Sequence, residues 1–165
     1  MSAYLHLRAV PAPALRNSPA WLERLFASDA ETVRHRVGRC HEEVLDECCL
    51  DQERIYTGAP PDGPGDRPQA QVVLGGRPVL RTDRRKPPLL VLTAAQARRV
   101  AGFLERTDFD ALWDSARDGL LPRYGGVGAE PETWCAFATT HRELRAFYAY
   151  TAECGDAVVK WRSKA

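Results

Sequence analysis

The sequence predicts one domain of mixed class, several helices with a few short strands, and three observations carry that expectation. Leu5, Leu7 and Ala9 alternate with His6 and Arg8 near one end of the chain, and Ala157, Val159 and Trp161 alternate with Val158 and Lys160 near the other, the period of two that strands show. Ser28, Thr107 and Thr140 are each followed three residues later by Glu or Asp, the capping-box signature of a helix start. At 165 residues, 44% hydrophobic and 27% charged, the chain has the size and composition of one domain over residues 1–165. Such a globule buries roughly 70% of its unfolded surface and needs no metal or disulfide to fold.

The first strand ends at Pro11 and Pro13. Ser18 before Pro19 marks a helix start, the hydroxyl as N-cap and the ring in the first turn, where its missing N–H costs nothing. Trp21, Leu22, Leu25 and Phe26 give that helix its buried face. Ser28 with Glu31 opens a helix expected to run to about Cys49, with Val33, Val37, Cys40, Val44 and Cys48 in one stripe. A second helical piece, Asp51 to Thr57, stops at Gly58. Four prolines and two glycines between Ala59 and Pro68 mark a surface loop inside the domain. Gln69 to Leu74 fits a short helix or a strand, closed by Gly75-Gly76.

Leu89 to Leu92 is a short apolar run and hence a buried strand, after which Thr93 caps a helix turning Ala97, Val100, Ala101 and Leu104 inward. Thr107 with Asp110 opens a helix through Phe109, Leu112 and Trp113 that ends by Gly119, and a glycine-rich loop follows around Tyr124 to Pro131. Thr140 with Glu143 opens the last helix, with Leu144, Phe147, Tyr148 and Thr151 on one side and Gly155 as its stop. The chain closes on a strand over Asp156 to Arg162.

This order of elements, with the words Gly75-Gly76-Arg77, Leu92-Thr93, Trp134, Leu144-Arg145-Ala146-Phe147-Tyr148 and Gly155-Asp156-Ala157-Val158, resembles the YfbM-like family of uncharacterised bacterial proteins over nearly the whole chain. The resemblance implies an α+β fold, a small sheet packed against several α-helices, in a family with no established activity. Members of that family typically carry Lys, Trp and His on the helix before a Leu-Leu-Thr-Gly ending. Here Ile55-Tyr56-Thr57-Gly58 ends that helix and Glu47, Cys49 and Glu53 hold the preceding positions. The family's Tyr-Gly-Pro and Arg before the second strand are reduced to Pro88, with Leu90 at the Arg position.

The 23 basic and 22 acidic side chains nearly cancel, so no global field draws the protein to nucleic acid or to an anionic membrane. Lys86, Lys160 and Lys164 are the only lysines, leaving 23 − 3 = 20 arginines, which reads as a high-GC bacterial codon bias. No N-terminal stretch has the form of a signal peptide and no apolar run reaches the roughly 18 residues of a membrane span. Five cysteines, an odd number with Cys48 and Cys49 adjacent, suit reduced thiols. The predicted location is the cytoplasm.

Each chemical constellation has a plainer structural reading. His35, Cys40, His41, Cys48 and Cys49 are zinc-type ligands, but Cys40 and Cys48 fall on the apolar stripe, where free Cys behaves as a small hydrophobe, so no metal is expected. Cys135 with His141 has the types of a thiol nucleophile and its base but no orienting third group. Cys135 is expected to pack and His141 to sit solvated on the surface. Glu42, Glu43, Asp46 and Glu47 read as a solvated helix face. Tyr124-Gly125-Gly126-Val127-Gly128 follows a helix and a proline instead of a strand, so it is no dinucleotide fingerprint, and no cofactor is expected.

The leading expectation is therefore a non-catalytic cytoplasmic protein that binds another protein, a profile that also suits an immunity protein blocking a toxin. No catalytic residue is nominated. The rival expectation is a small-ligand enzyme or anion binder with a pocket at the start of the Thr93 helix, where exposed N–H groups and Arg77, Arg81, Arg84 or Arg85 hold an anion. Arg81, Arg84, Arg85 and Lys86 form the densest basic stretch, without the interleaved aromatics of a nucleic-acid site.

Overall fold

The structure is a computed structural model and describes residues 3–26, 42–46, 48–58 and 65–164. Its elements are β1 (Ala3–Val10), a 3-10 turn (Ala12–Arg16), α1 (Pro19–Arg24), β2 (Glu42–Leu45), α2 (Cys49–Thr57), α3 (Pro68–Gln71), β3 (Arg77–Val79) and β4 (Leu89–Leu92). They continue as α4 (Ala94–Arg106), α5 (Phe109–Leu120), 3-10 turns at Leu121–Tyr124 and Val127–Ala129, α6 (Glu130–Glu153) and β5 (Ala157–Lys164). The strands form one five-stranded sheet in the order β2-β1-β5-β4-β3, every pairing antiparallel, an α+β architecture as expected.

The first and last strands of the chain lie side by side at its centre, from Ala3 opposite Lys164 to Val10 opposite Ala157. Cross-strand partners share a face, so the alternation read in each strand sorts the side chains into two layers. Leu5, Leu7, Ala9, Leu92 and Val158 join a core with Val100 and Leu104 of α4 and Leu144, Phe147 and Tyr148 of α6. Val10, Leu89, Val91, Ala157 and Val159 face the other way, onto Ala14, Leu22 and Leu25 of the N-terminal segment. Burial on both sides explains why Ala157 to Lys160 are all buried in succession.

Several caps stand where the sequence puts them. Ser18 accepts from Trp21 N, and Thr93 and Gln96 form a reciprocal capping box. Gly58 and Gly155 end α2 and α6 at φ 75° and 68°, a region costly for residues with a Cβ. Three helix boundaries are corrected. The helix drawn from Ser28 to Cys49 is overturned at its end, because 42–45 are strand β2, paired with β1 from Leu5 opposite Leu45 to Arg8 opposite Glu42. The same four residues also alternate, with Leu45 buried and Val44 exposed, and Glu42 finds Arg8 across the strands at 3.1 Å. Val33, Val37 and Cys40 lie outside the described residues.

The capping box at Thr140 is no helix start: α6 runs unbroken from Pro131 in its first turn, and the Thr140 hydroxyl donates back to Ala136 O at 3.2 Å. Thr107 likewise donates to Phe103 O at 2.6 Å, and Asp108 caps α5 one residue later. Gln69–Leu74 is helical only to Gln71, and Val72 and Val73 continue as buried irregular chain. Of the expected loop at 59–68, residues 59–64 lie outside the described residues and Pro68 already opens α3.

That irregular segment needs partners for its carbonyls, and Lys160 supplies them. Its Nζ, on a side chain left 1% exposed, donates to Gln71 O at 2.6 Å, Gly75 O at 2.8 Å and Val72 O at 3.4 Å. Tyr148 OH adds a bond to Val72 O at 2.6 Å, and Glu53 Oε2 accepts from Leu74 N at 3.1 Å. Gly75 is required here, since a Cβ would meet Ala70 O at 1.9 Å. Burial pushes the Lys160 ammonium down to about 7, with Glu53 pulling the other way.

Candidate functional site

β5 outruns its neighbour. Its pairing with β1 continues to Lys164, whereas its pairing with β4 stops at Lys160 opposite Leu90, because Pro87 and Pro88 precede β4 and have no N–H to give. The space so left is a cleft of about 220 Å³ lined by Arg81, Arg85, Lys86, Pro87, Trp161, Arg162 and Ser163. Four of these are cationic, and none of them is acidic.

The 80–88 loop is held at its start and turned at its tip. Glu23 Oε1 of α1 accepts Arg81 Nε at 3.3 Å and Thr82 N at 2.9 Å, and Asp83 turns the tip by accepting Arg85 N at 3.0 Å. The Arg81 guanidinium lies 5.5 Å from the Trp161 ring centroid, a cation–π contact. Trp161 in turn packs on His6 and Phe26, with centroids 5.1 and 5.4 Å away.

Behind this aromatic layer lies Arg8, 3% exposed, with its guanidinium 5.3 Å from the Phe26 centroid. Its Nη2 donates to Glu42 Oε2 at 3.1 Å, and His6 Nδ1 stands 3.5 Å from Glu42 Oε1. Arg8 Nε, Arg8 Nη1 and Trp161 Nε1 are buried without an acceptor among the described residues. A buried donor left without an acceptor costs about 1–3 kcal/mol, so three on one side of a sheet demand a reason.

Of the residues nominated from sequence, Arg81 and Arg85 line this cleft. Arg84 is exposed beside it. Arg77, opposite Val91, and Thr93 lie toward the far end of β4, and both are exposed. The Thr93 hydroxyl is occupied by Gln96 N at 3.2 Å, and the Gln96 side chain takes Thr93 N at 2.9 Å. Trp161 and Arg162 were missed, as was Arg8. Their only signal was the strand alternation, which says nothing of which strand lies alongside.

A second feature lies on the helices. Trp113 of α5, Trp134 and Cys135 of α6 and Val127 between them line a shallow groove of about 560 Å³ edged by Asp110, Asp114 and Glu130. Trp134 Nε1 donates to Asp110 Oδ1 at 2.9 Å and Trp113 Nε1 to Glu130 Oε1 at 3.1 Å, so both indoles are fixed, and Arg117 pairs with Glu130 at 2.8 Å. A third, more apolar cavity of about 370 Å³ separates α2 from α5 and is lined by Ile55, Tyr56, Leu112 and Leu120, with Arg54 and Ser115 among its polar residues.

The readings of Cys135 and His141 are both corrected. Cys135 is exposed, and His141 is buried, stacked on Phe109 at 4.9 Å with Nδ1 2.9 Å from Tyr56 OH. Gln52 Nε2 donates to that phenol oxygen at 3.1 Å, leaving the Tyr56 proton for Nδ1 of a neutral imidazole. Burial lowers the His141 pKa, and the Arg145 charge adds to the effect. Burial raises the Cys48 and Cys49 thiols, the opposite of nucleophile activation. Among the described residues no group of three or more His, Cys, Asp or Glu is placed to hold a metal ion; His35, Cys40, His41 and Glu47 lie outside them. Among the same residues no helix is long and apolar enough to cross a membrane.

An antiparallel five-stranded sheet with α4 and α6 packed on one face and the described N-terminal segment on the other is an α+β domain. The chain belongs to the family described as a domain of unknown function (DUF1877), whose model matches residues 1–161. It is similar in fold to YfbM from Escherichia coli, a protein of unknown function, with a TM-score of 0.61 and 15% identity, covering 97% of this chain and 98% of that one. No curated protein matches the chain.

Proposed function

We propose that this protein is a non-catalytic cytoplasmic binding protein that engages another protein through the groove between α5 and α6. The observation that carries the reading is the exposure of Trp134 (38%) and Val127 (73%) beside Asp110, Asp114 and Glu130. Tryptophan is costly to leave in water and dominates protein contacts when it is presented on a rigid element. Its hydrogen bond to Asp110 fixes the ring before any partner arrives, which lowers the ordering cost of binding. The carboxylates around it suit lysine and arginine, so the partner surface is a basic one. A toxin with such a surface is a partner of this chemistry. Cys48, Cys49 and Cys135 are free thiols, and the exposed Cys135 in particular supports a reducing compartment.

The test is a titration with an arginine-rich peptide followed by tryptophan fluorescence, together with a pull-down from the native host using wild-type and Trp134→Ala protein. A salt-sensitive fluorescence change is expected, weakened about tenfold or more by Trp134→Ala, and a host protein held by wild-type should be lost from the variant. Equal responses from wild-type and variant in both measurements would overturn the reading.

A further inference from the structure

We propose that the cleft between the 80–88 loop and the end of β5 is a binding site for the phosphate group of a small organophosphate. The proposal is independent of the α5–α6 groove, which shares no lining residue with it.

Three cationic side chains, Arg81, Arg85 and Lys86, line a space with no carboxylate among its described lining residues; Arg162 borders it through the strand, its side chain belonging to the opposite face of β5 with Leu5. Gathering like charges around one concavity is unfavourable unless an anion offsets it, and clefts walled by one sign of charge focus field on their ligand. The two acids at the loop are both engaged, Asp83 within it by Arg85 N and Glu23 of α1 by Arg81 and Thr82 N; Glu23 is the one that meets a cationic side chain. It holds Arg81 through Nε alone, and Arg81 makes no other hydrogen bond among the described residues. The guanidinium therefore keeps its two Nη groups for a second acceptor, the fork that suits phosphate oxygens.

Trp161 supplies the independent observation. Its ring is fixed by Arg81, His6 and Phe26, yet its Nε1 is buried without an acceptor among the described residues. Trp161 lines the cleft, and its N–H, closed to water in this arrangement, must be uncovered when an acceptor is seated there. An indole donates and cannot accept, and the charged side chains lining the cleft are donors too, so the ligand that suits them is an acceptor with several oxygens. At about 220 Å³ the cleft is smaller than the roughly 300–1,000 Å³ of pockets for drug-sized ligands, which fits a phosphoryl head with a short organic tail and excludes a dinucleotide.

Isothermal titration at constant ionic strength tests it with three probes: glycerol phosphate, inorganic phosphate and succinate. Glycerol phosphate is expected to bind best, inorganic phosphate more weakly and succinate least, since a carboxylate offers fewer oxygens to the fork. Arg85→Ala with Lys86→Ala should weaken glycerol phosphate binding by on the order of a hundredfold, and Trp161→Phe, which keeps a ring but removes the N–H, by on the order of tenfold. Arg84→Ala, exposed beside the cleft but not lining it, is the control and should change affinity less than about twofold. Loss of binding in Arg84→Ala equal to that in the double variant means diffuse surface charge and overturns the proposal. So does an unaltered affinity in Trp161→Phe, or the absence of heat with all three probes.

Discussion

Lys160 and Trp161 are consecutive residues of β5 that point to opposite faces of the sheet, and their polar atoms are treated in opposite ways. On the helical face the Lys160 ammonium meets the carbonyls of Gln71, Val72 and Gly75, and the segment they belong to is further tied by Tyr148 and Glu53. On the other face, among the described residues, Trp161 Nε1 has no acceptor and Arg8 leaves Nε and Nη1 unpaired. The helical layer has orphans too, the side-chain oxygens of Gln52 and Gln71, but these are neutral amide acceptors. Unpaired donors on one side, two of them on a cation, mark the face where the fold has capacity it does not itself use. The contrast separates polar burial that builds the fold from polar burial that waits for something else.

The largest effect should come from Lys160→Met. Removing the ammonium takes a donor from three carbonyls, leaving Gln71 O and Val72 O to share the Tyr148 hydroxyl and Gly75 O without a side-chain donor, and it leaves Glu53 without its cation, a loss of about 3–5 kcal/mol in urea unfolding. The same variant should change the pH profile. Folding lowers the Lys160 pKa from 10.5 to about 7, so between those values the unfolded chain binds more protons than the folded one. Stability is then full above 10.5 and is lost as pH falls toward 7, with a slope of at most about 1.4 kcal/mol per pH unit that Lys160→Met removes. A cost below about 1 kcal/mol with an unchanged slope would erase the distinction between the faces.

Arg8→Met is the matching experiment on the other face, and its expected cost is smaller, within about 1 kcal/mol of wild-type. The substitution gives up one bond to Glu42, whose side chain is 22% exposed and so stays solvated, and it also abolishes two buried unpaired donors. Urea unfolding that places Arg8→Met level with Lys160→Met would show that Arg8 builds the fold as Lys160 does.

What the sequence made legible follows the same division between local and distant. β1, β4, β5 and the caps at Ser18, Thr93 and Gly155 rest on chemistry within a few residues, and each is found where it was read. β2 was read as helix because four residues show too little of either period, and what makes them a strand is β1, which lies far away in sequence. The length of α6 was cut at Thr140 because a hydroxyl three residues before Glu143 looks the same whether it caps a helix or bonds backward within one. The cleft divides in the same way. Its Arg81, Arg85 and Lys86 side are neighbours in sequence and were visible as a run of charge, whereas Trp161 and Arg162 join them only because the chain's two ends pair at the centre of the sheet. His141 escaped for the reverse reason, since a helix of unexpected length buries what had been read as its exposed first turn.

The smallest effect, and the one that sharpens the contrast most, is on Trp161. In the free protein Trp161→Phe keeps an aromatic side against Arg81, His6 and Phe26 and removes a donor that has no partner among the described residues. The lost ring area and the relieved N–H oppose each other, so the stability change should stay within about 1 kcal/mol of zero. A residue whose N–H matters to stability would cost more, as Lys160 does, while a residue whose N–H matters only to a ligand would cost binding and leave unfolding nearly untouched. Urea unfolding of Trp161→Phe with and without glycerol phosphate distinguishes the two: wild-type should gain stability from the ligand by mass action, and the variant should gain less at the same concentration. A large loss of stability in the ligand-free variant would place Trp161 with Lys160 among the residues that hold the sheet together and close the gap between the faces.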